Sequence, residues 1–206
     1  IAYAREGADV MINYLPEEQK DADETMRWVR ESGRRGIAVP GDIRDERLCN
    51  ELVDRAFQEF GKLDILVNNA AFQSSHDNIE EFTTEEFDRA FKTNVYGMFW
   101  LCRAAMPRMK PGSAVINTAS IQAYDASPNL LPYASTKAAI VNFTKALSKS
   151  SMQRSIRVNA VAPGPVWTPL IPATMPEQKV PPHEALREIF RRRLSLQHRF
   201  DLQRRF

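Results

Sequence analysis

At 206 residues, with 43% apolar and 26% charged residues, the chain is large enough for one globular α/β domain with a continuous core. Its net charge of +2 hides a basic end: residues 183–206 hold seven Arg against Glu184, Glu188 and Asp201, leaving a near-neutral body of 21 basic and 23 acidic residues, which argues against nucleic-acid binding. No apolar stretch approaches the length of a membrane span and the first residues do not resemble a signal peptide, so a cytoplasmic protein with neither membrane nor nucleic-acid partner is expected.

In chain order, residues 9–14 read as a strand and residues 21–32 as a helix stopped by Gly33. Residues 36–40 form a second strand. Leu48, Leu52, Val53, Ala56, Phe57 and Phe60 then repeat at helical spacing as far as Gly61. Residues 63–68 form a third strand, and Thr83 with Glu86 makes a capping box ahead of one long helix over about 85–109, ended by Pro111 and Gly112. Residues 114–118 are a fourth strand, 131–153 a further helix and 156–162 a fifth strand rich in β-branched and small residues. The alternation predicts a parallel sheet covered by helices on both faces, with ligands gathered at the carboxyl ends of the strands. The long irregular stretches, 61–75 and 163–182, both follow strands. Cys49 and Cys102 lie within helical patterns without neighbours at ligand spacing, so neither a disulfide nor a metal site is expected.

Tyr133 and Lys137 are four apart on a predicted helix and therefore share a face. An ammonium beside a phenol favours the tyrosinate, so Tyr133 is a candidate general acid or base whose pKa Lys137 would depress. Alone, such a pair is more often an amphipathic edge. Thirteen residues earlier, at the end of the fourth strand, Ser120 offers a hydroxyl to a substrate oxygen.

Ser120, the run Tyr133-Ala-Ser-Thr-Lys137 and the run Asn68-Asn69-Ala70-Ala71 together resemble the short-chain dehydrogenase/reductases over about residues 1–180. The family pattern ends Asn-Asn-Ala-Gly, where this chain has Ala71. The resemblance implies a Rossmann-type doubly wound α/β fold and four catalytic residues: Asn94, Ser120, Tyr133 and Lys137. It also implies cofactor contacts from Asp42, Ile43, Asn68, Ala70, Tyr133 and Lys137, and from Pro163, Gly164, Val166 and Thr168 near the nicotinamide. Asn94 would hold a water through its backbone carbonyl, in a proton relay to Lys137. Read without the family, Asn94 is an ordinary helix polar residue, Asp42 a helix N-cap that Asp45 could equally supply, and Pro163-Gly164 a turn.

The implied reaction is hydride transfer between NAD(P)(H) and a small aldehyde, ketone or sugar-like carbonyl, as in the bacterial aldehyde and alcohol reductases and glucose-dehydrogenase-like members. Asn13-Tyr14-Leu15-Pro16, where an acid would select NAD, has none, which points to NADP with NAD left open.

Residues 1–8 resemble the second half of the family's first helix, so the first strand, its Gly-rich loop and the last strand are expected to be missing, leaving unpaired sheet edges. Residues 181–206 form an Arg-rich atypical tail; a frameshift or truncated gene would account for both ends. Two other readings stand beside the enzyme: an inactive Rossmann fragment that only binds a nucleotide or a subunit, and an association module using the helices at 85–109 and 131–153, through which the resemblance implies a homo-oligomer, a tetramer.

Overall fold

The computed structural model describes residues 1–164; residues 165–206, with the expected tail and the candidates Val166 and Thr168, lie outside the described residues. A short helix α1 (Ala2–Arg5) leads to β1 (Val10–Tyr14), α2 (Gln19–Glu31), β2 (Gly36–Pro40) and α3 (Glu46–Phe60). Then follow β3 (Ile65–Asn68), α4 (Thr84–Phe91), α5 (Gly97–Ala105), β4 (Ala114–Thr118), α6 (Leu131–Ser151) and β5 (Arg157–Val161).

All strand pairs are parallel, as the helical crossovers require. The strands fall into two sheets, β1–β2 and β3–β4–β5 with β4 in the middle. The break lies between β1 and β3, whose facing edges have no strand partner among the described residues, as expected of a Rossmann sheet without its first strand. A cleft of about 1080 Å³ runs between them, lined by Val10–Tyr14 on one side and Leu66, Val67 and Asn68 on the other. Ile65 and Val67, in what reads as a buried strand, are each 40% exposed along this gap.

Two cores match the two sheets. The larger gathers Val53, Met98, Cys102, Met106, Val115, Ile140 and Val158 between β3–β4–β5 and helices α3, α5 and α6; the smaller holds Ala4, Met26 and Val29 under β1 and β2. Helix α3 joins the halves by packing on α5. There Arg108 lies 4.0 Å over the Phe57 ring and 2.5 Å from Asp54, and Arg103 pairs with Glu46.

The single helix expected over 85–109 is divided. After α4, with its Thr83/Glu86 capping box, comes a π turn over Lys92–Tyr96 in which the Gly97 N–H donates to the Lys92 carbonyl five residues back. A tighter turn at Met106–Arg108, containing Pro107, follows α5.

Candidate active site

Strand β4 brings Val115, Asn117 and Ala119 onto one buried face and releases Ser120 at its carboxyl end. Ser120 caps a short turn over Ile121–Ala123, its Oγ accepting from the Gln122 N–H at 3.2 Å. The Ile121 N–H donates to the Pro163 carbonyl at 3.0 Å, holding the start of the loop after β5 against this turn. Pro132 fits the first turn of α6, where its missing N–H has no helical acceptor to lose. Tyr133 follows in that turn and Lys137 lies one turn on. The Ser120 hydroxyl acts on the Tyr133 phenol in the direction that favours its ionised form.

Lys137 is 1% exposed; its Nζ donates to the Thr118 carbonyl at 2.7 Å and lies 5.2 Å from the Tyr133 ring centroid. Burial of the ammonium lowers the Lys137 pKa to about 8. Burial also raises the Tyr133 phenol above its usual 10, partly offset by the Ser120 hydroxyl. The expected depression of the Tyr133 pKa by Lys137 is therefore not what this site shows. The ammonium lies beside the ring and spends a hydrogen bond on a carbonyl, so the cost of burying phenolate wins.

Asn94 occupies the π turn and is 2% exposed. Its Nδ2 donates to the Phe72 carbonyl and to Thr136 Oγ1, both at 2.9 Å, and its Oδ1 accepts from the Phe72 N–H at 2.7 Å. Thr136 Oγ1 in turn donates to the Tyr133 carbonyl at 2.6 Å. The Asn94 side chain thus links the loop after β3 to the turn of α6 that carries Tyr133.

The remaining cofactor-side candidates line the cleft: Asp42, Ile43, Asn68 and Ala70, with Asn94 and Thr118. Ser120, Tyr133 and Lys137 stand beyond its rim at Thr118. Asp42 is not the helix cap; Asp45 is, accepting from the Arg47 N–H at 2.8 Å. Asp42 instead takes the Arg44 side chain at 2.7 Å and the Arg44 N–H at 2.9 Å, and the guanidinium holds its carboxyl below the ordinary value. Asn68 Nδ2 donates to Asn117 Oδ1 at 2.8 Å, while Asn68 Oδ1 is buried without a hydrogen-bond partner. Gly164 ends the described chain, half-buried.

A family model described as enoyl-(acyl carrier protein) reductase matches residues 1–198. A short-chain dehydrogenase from Burkholderia cenocepacia, solved in complex with NADP, superposes with a TM-score of 0.79 at 31% identity, over 82% of this chain and 69% of that one. The chain belongs to the short-chain dehydrogenase/reductase family. An uncharacterized oxidoreductase of Bacillus subtilis, YhdF, is 50% identical to this dehydrogenase/reductase over 183 residues, 89% of the chain. The chloroplastic NADPH-dependent aldehyde reductase 1 of Arabidopsis thaliana is 43% identical over 86% of it. The chain spans 63% and 64% of the lengths of these two relatives.

Several residues that wire this short-chain dehydrogenase/reductase site escape a reading by motif. Thr118 serves Lys137 through its carbonyl and Asn69 Oδ1 through its hydroxyl at 3.0 Å, and Asn117 Nδ2 donates to Thr144 Oγ1 at 2.9 Å. Asn117 left a legible signal, a polar residue on a strand face otherwise held by Val115 and Ala119, since a buried amide demands partners. Thr136 and Gln122 left none, because their partners are distant in sequence or lie across a loop.

Proposed function

We propose that this protein transfers a hydride between NADP and a small carbonyl or carbinol carbon, with aldehydes, ketones or sugar-like molecules as substrates and Tyr133 as the proton carrier. The reading rests on Ser120 at the carboxyl end of β4, Tyr133 in the first turn of α6 and the buried Lys137 one turn on, with the Ser120 hydroxyl favouring the ionised Tyr133 phenol. Ser120 holds the substrate oxygen. Tyr133, kept protonated by burial, donates its hydroxyl proton to that oxygen as negative charge develops there. Lys137, bonded to the Thr118 carbonyl, holds the end of β4 that carries Ser120, and the Asn94 and Thr136 bonds fix the helix turn on which Tyr133 stands. The oxidising direction runs the same proton path backwards.

A bound nicotinamide would supply the hydride. The residues that would meet a dinucleotide are those where the cleft passes the carboxyl ends of the strands: Tyr14, Asp42 and Ile43 in one half and Asn68, Ala70 and Thr118 in the other. At the end of β1, Glu18 turns its carboxylate back to the Leu15 N–H at 3.0 Å, so this acid caps the local turn and is not free to bind ribose hydroxyls. That supports NADP over NAD. Phe87, Tyr96 and Phe99 are exposed on α4, the π turn and α5, which supports association of copies through these helices.

The test is a titration of the chain with NADPH and NADH followed by nicotinamide fluorescence, then turnover of a panel of small aldehydes. Saturable NADPH binding is expected, with turnover that Tyr133→Phe lowers about a thousandfold while NADPH affinity stays within about twofold. A folded chain that binds neither cofactor, or a Tyr133→Phe variant as active as the parent, overturns the reading.

A further inference from the structure

The segment between Ser120 and α6 is closed on itself by one side chain. Gln122 Nε2 donates to Ser127 Oγ at 2.9 Å, and Gln122 Oε1 accepts from the Ser127 N–H at 2.7 Å. The backbone N–H of the same Gln122 is the donor to Ser120 Oγ. Residues 124–126, between the two ends of this brace, are exposed, whereas Gln122 and Ser127 are half-buried. On the far side of the brace the Leu130 N–H donates to the Ser127 carbonyl at 3.0 Å, and α6 begins at Leu131 with Tyr133 in its first turn.

Gln122 is therefore bonded to Ser120 directly and connected to Tyr133 through Ser127 and the entry to α6. Its N–H occupies an acceptor lone pair of Ser120 Oγ, which leaves the Ser120 hydroxyl hydrogen free to be directed elsewhere. Its amide ties Ser127, and through Ser127 the entry to α6, at a fixed distance from Ser120. A side-chain amide that pairs with a backbone N–H and a hydroxyl at once has little rotational freedom left, so the loop closes in one geometry.

We infer that Gln122 is a positioning residue for the reaction, holding the Ser120 and Tyr133 hydroxyls at the spacing that proton transfer needs; this rests on the function proposed above. A slack loop displaces two reacting hydroxyls from one another without disturbing the cofactor cleft, whose lining contains neither Gln122 nor Ser127. The signature is thus a fall in kcat rather than in binding.

The experiment compares the full chain with Gln122→Met, of similar length but without hydrogen-bonding atoms, and with Gln122→Glu. In the glutamate variant one carboxylate oxygen keeps the Ser127 N–H, and the Ser127 hydroxyl reverses to donate to the other. With an aldehyde at saturating NADPH, Gln122→Met is expected to lose about tenfold in kcat with KM and NADPH affinity within about twofold, and Gln122→Glu to recover most of it. The Tyr133 phenol, followed by NMR of ring-labelled tyrosine and assigned with Tyr133→Phe, should titrate higher in Gln122→Met as the Ser120 hydroxyl, which favours the ionised phenol, moves away. Should Gln122→Met not fold, Ser127→Ala removes one arm of the brace and should lower kcat by about threefold. Unchanged kcat in a folded Gln122→Met, or a loss of affinity and thermal stability shared by the methionine and glutamate variants, overturns the inference. If the parent chain shows no turnover, the functional reading fails on its own, and the Tyr133 titration still decides whether the brace acts.

Discussion

The two halves of the molecule are built differently. In the half made by β3, β4 and β5, polar side chains are buried and paired in a chain: Asn68 to Asn117, Asn117 to Thr144, Lys137 to the Thr118 carbonyl, Asn94 to Phe72 and Thr136. In the half made by β1 and β2 the core is small, and the polar contacts are mostly surface pairs such as Arg35 with Asp9 and Arg27 with Glu31. Buried networks hold one geometry because leaving a member unpaired is costly, whereas exposed ion pairs contribute little. The proposed proton chemistry is thus assigned to the half where geometry is enforced from within. The candidate cofactor-side residues Asp42 and Ile43 follow β2, in the other half, and Ile43 packs against Gly97 at the start of α5.

The sharpest way to break the contrast is to remove a member of the buried network. Asn94→Ala eliminates three hydrogen bonds at a site 2% exposed and leaves the Phe72 N–H and carbonyl without their partners. A loss of about 3 kcal/mol in urea unfolding is expected, several times that of removing the exposed Lys62–Asp64 pair with Lys62→Ala. Equal losses would mean that the network does not carry the stability assigned to it.

A second prediction uses pH. The folded-state pKa of Lys137 lies at about 8, below the ordinary 10.5. Between these values the unfolded chain holds a proton that the folded chain has released, so stability must rise with pH across this window; below it, the buried ammonium is a standing cost. Measured against Lys137→Met, which lacks the titration, the parent should gain about 2 kcal/mol between about pH 7.5 and 9.5. A flat difference would place the ammonium in contact with water. The comparison is to be kept below pH 10, because the raised Tyr133 pKa acts in the opposite sense: above 10 the unfolded phenol loses its proton first and stability falls.

How far the sequence foretold each half follows from the same contrast. The strand and helix alternation was legible because period-2 and period-3.6 patterns are local, and so were the ends of elements. Thr83 with Glu86 starts α4, and Gly61 ends α3 in the left-handed conformation at φ 73°. That Ser120, Tyr133 and Lys137 would gather at one end of the sheet was legible because they keep family spacing on elements whose direction the pattern already implied. The π turn was not, since one extra residue in an apolar helix leaves no mark in the periodicity. Nor was the direction of the Tyr133 shift, which depends on burial supplied by other elements rather than on the i, i+4 spacing to Lys137. Asp42 and Asp45 were ambiguous as helix caps until the backbone showed which one faces the first turn of α3.

The joint between the halves is tested at Gly97, the residue that closes the π turn. A Cβ there would stand 2.8 Å from Ile43 Cδ1 and 3.1 Å from the Ile43 carbonyl oxygen. The side-chain tip can rotate away, but the carbonyl cannot move freely, because it accepts the Cys49 thiol at 3.2 Å at the start of α3. Gly97→Ala should therefore push α5 away from the segment bearing Asp42 and Ile43, at a cost of roughly 1 to 2 kcal/mol in thermal or urea unfolding, the smallest of the three effects. Adding Ile43→Val removes the Cδ1 contact and should restore part of that loss, leaving the share due to the carbonyl. NADPH affinity should fall in the single variant and recover with stability in the double one, because the displaced segment belongs to the cofactor side while the Ser120–Tyr133 pair lies across α6. If Gly97→Ala lowers stability without touching NADPH affinity, the α3–α5 contact holds the fold together but does not set the position of the cofactor-side residues.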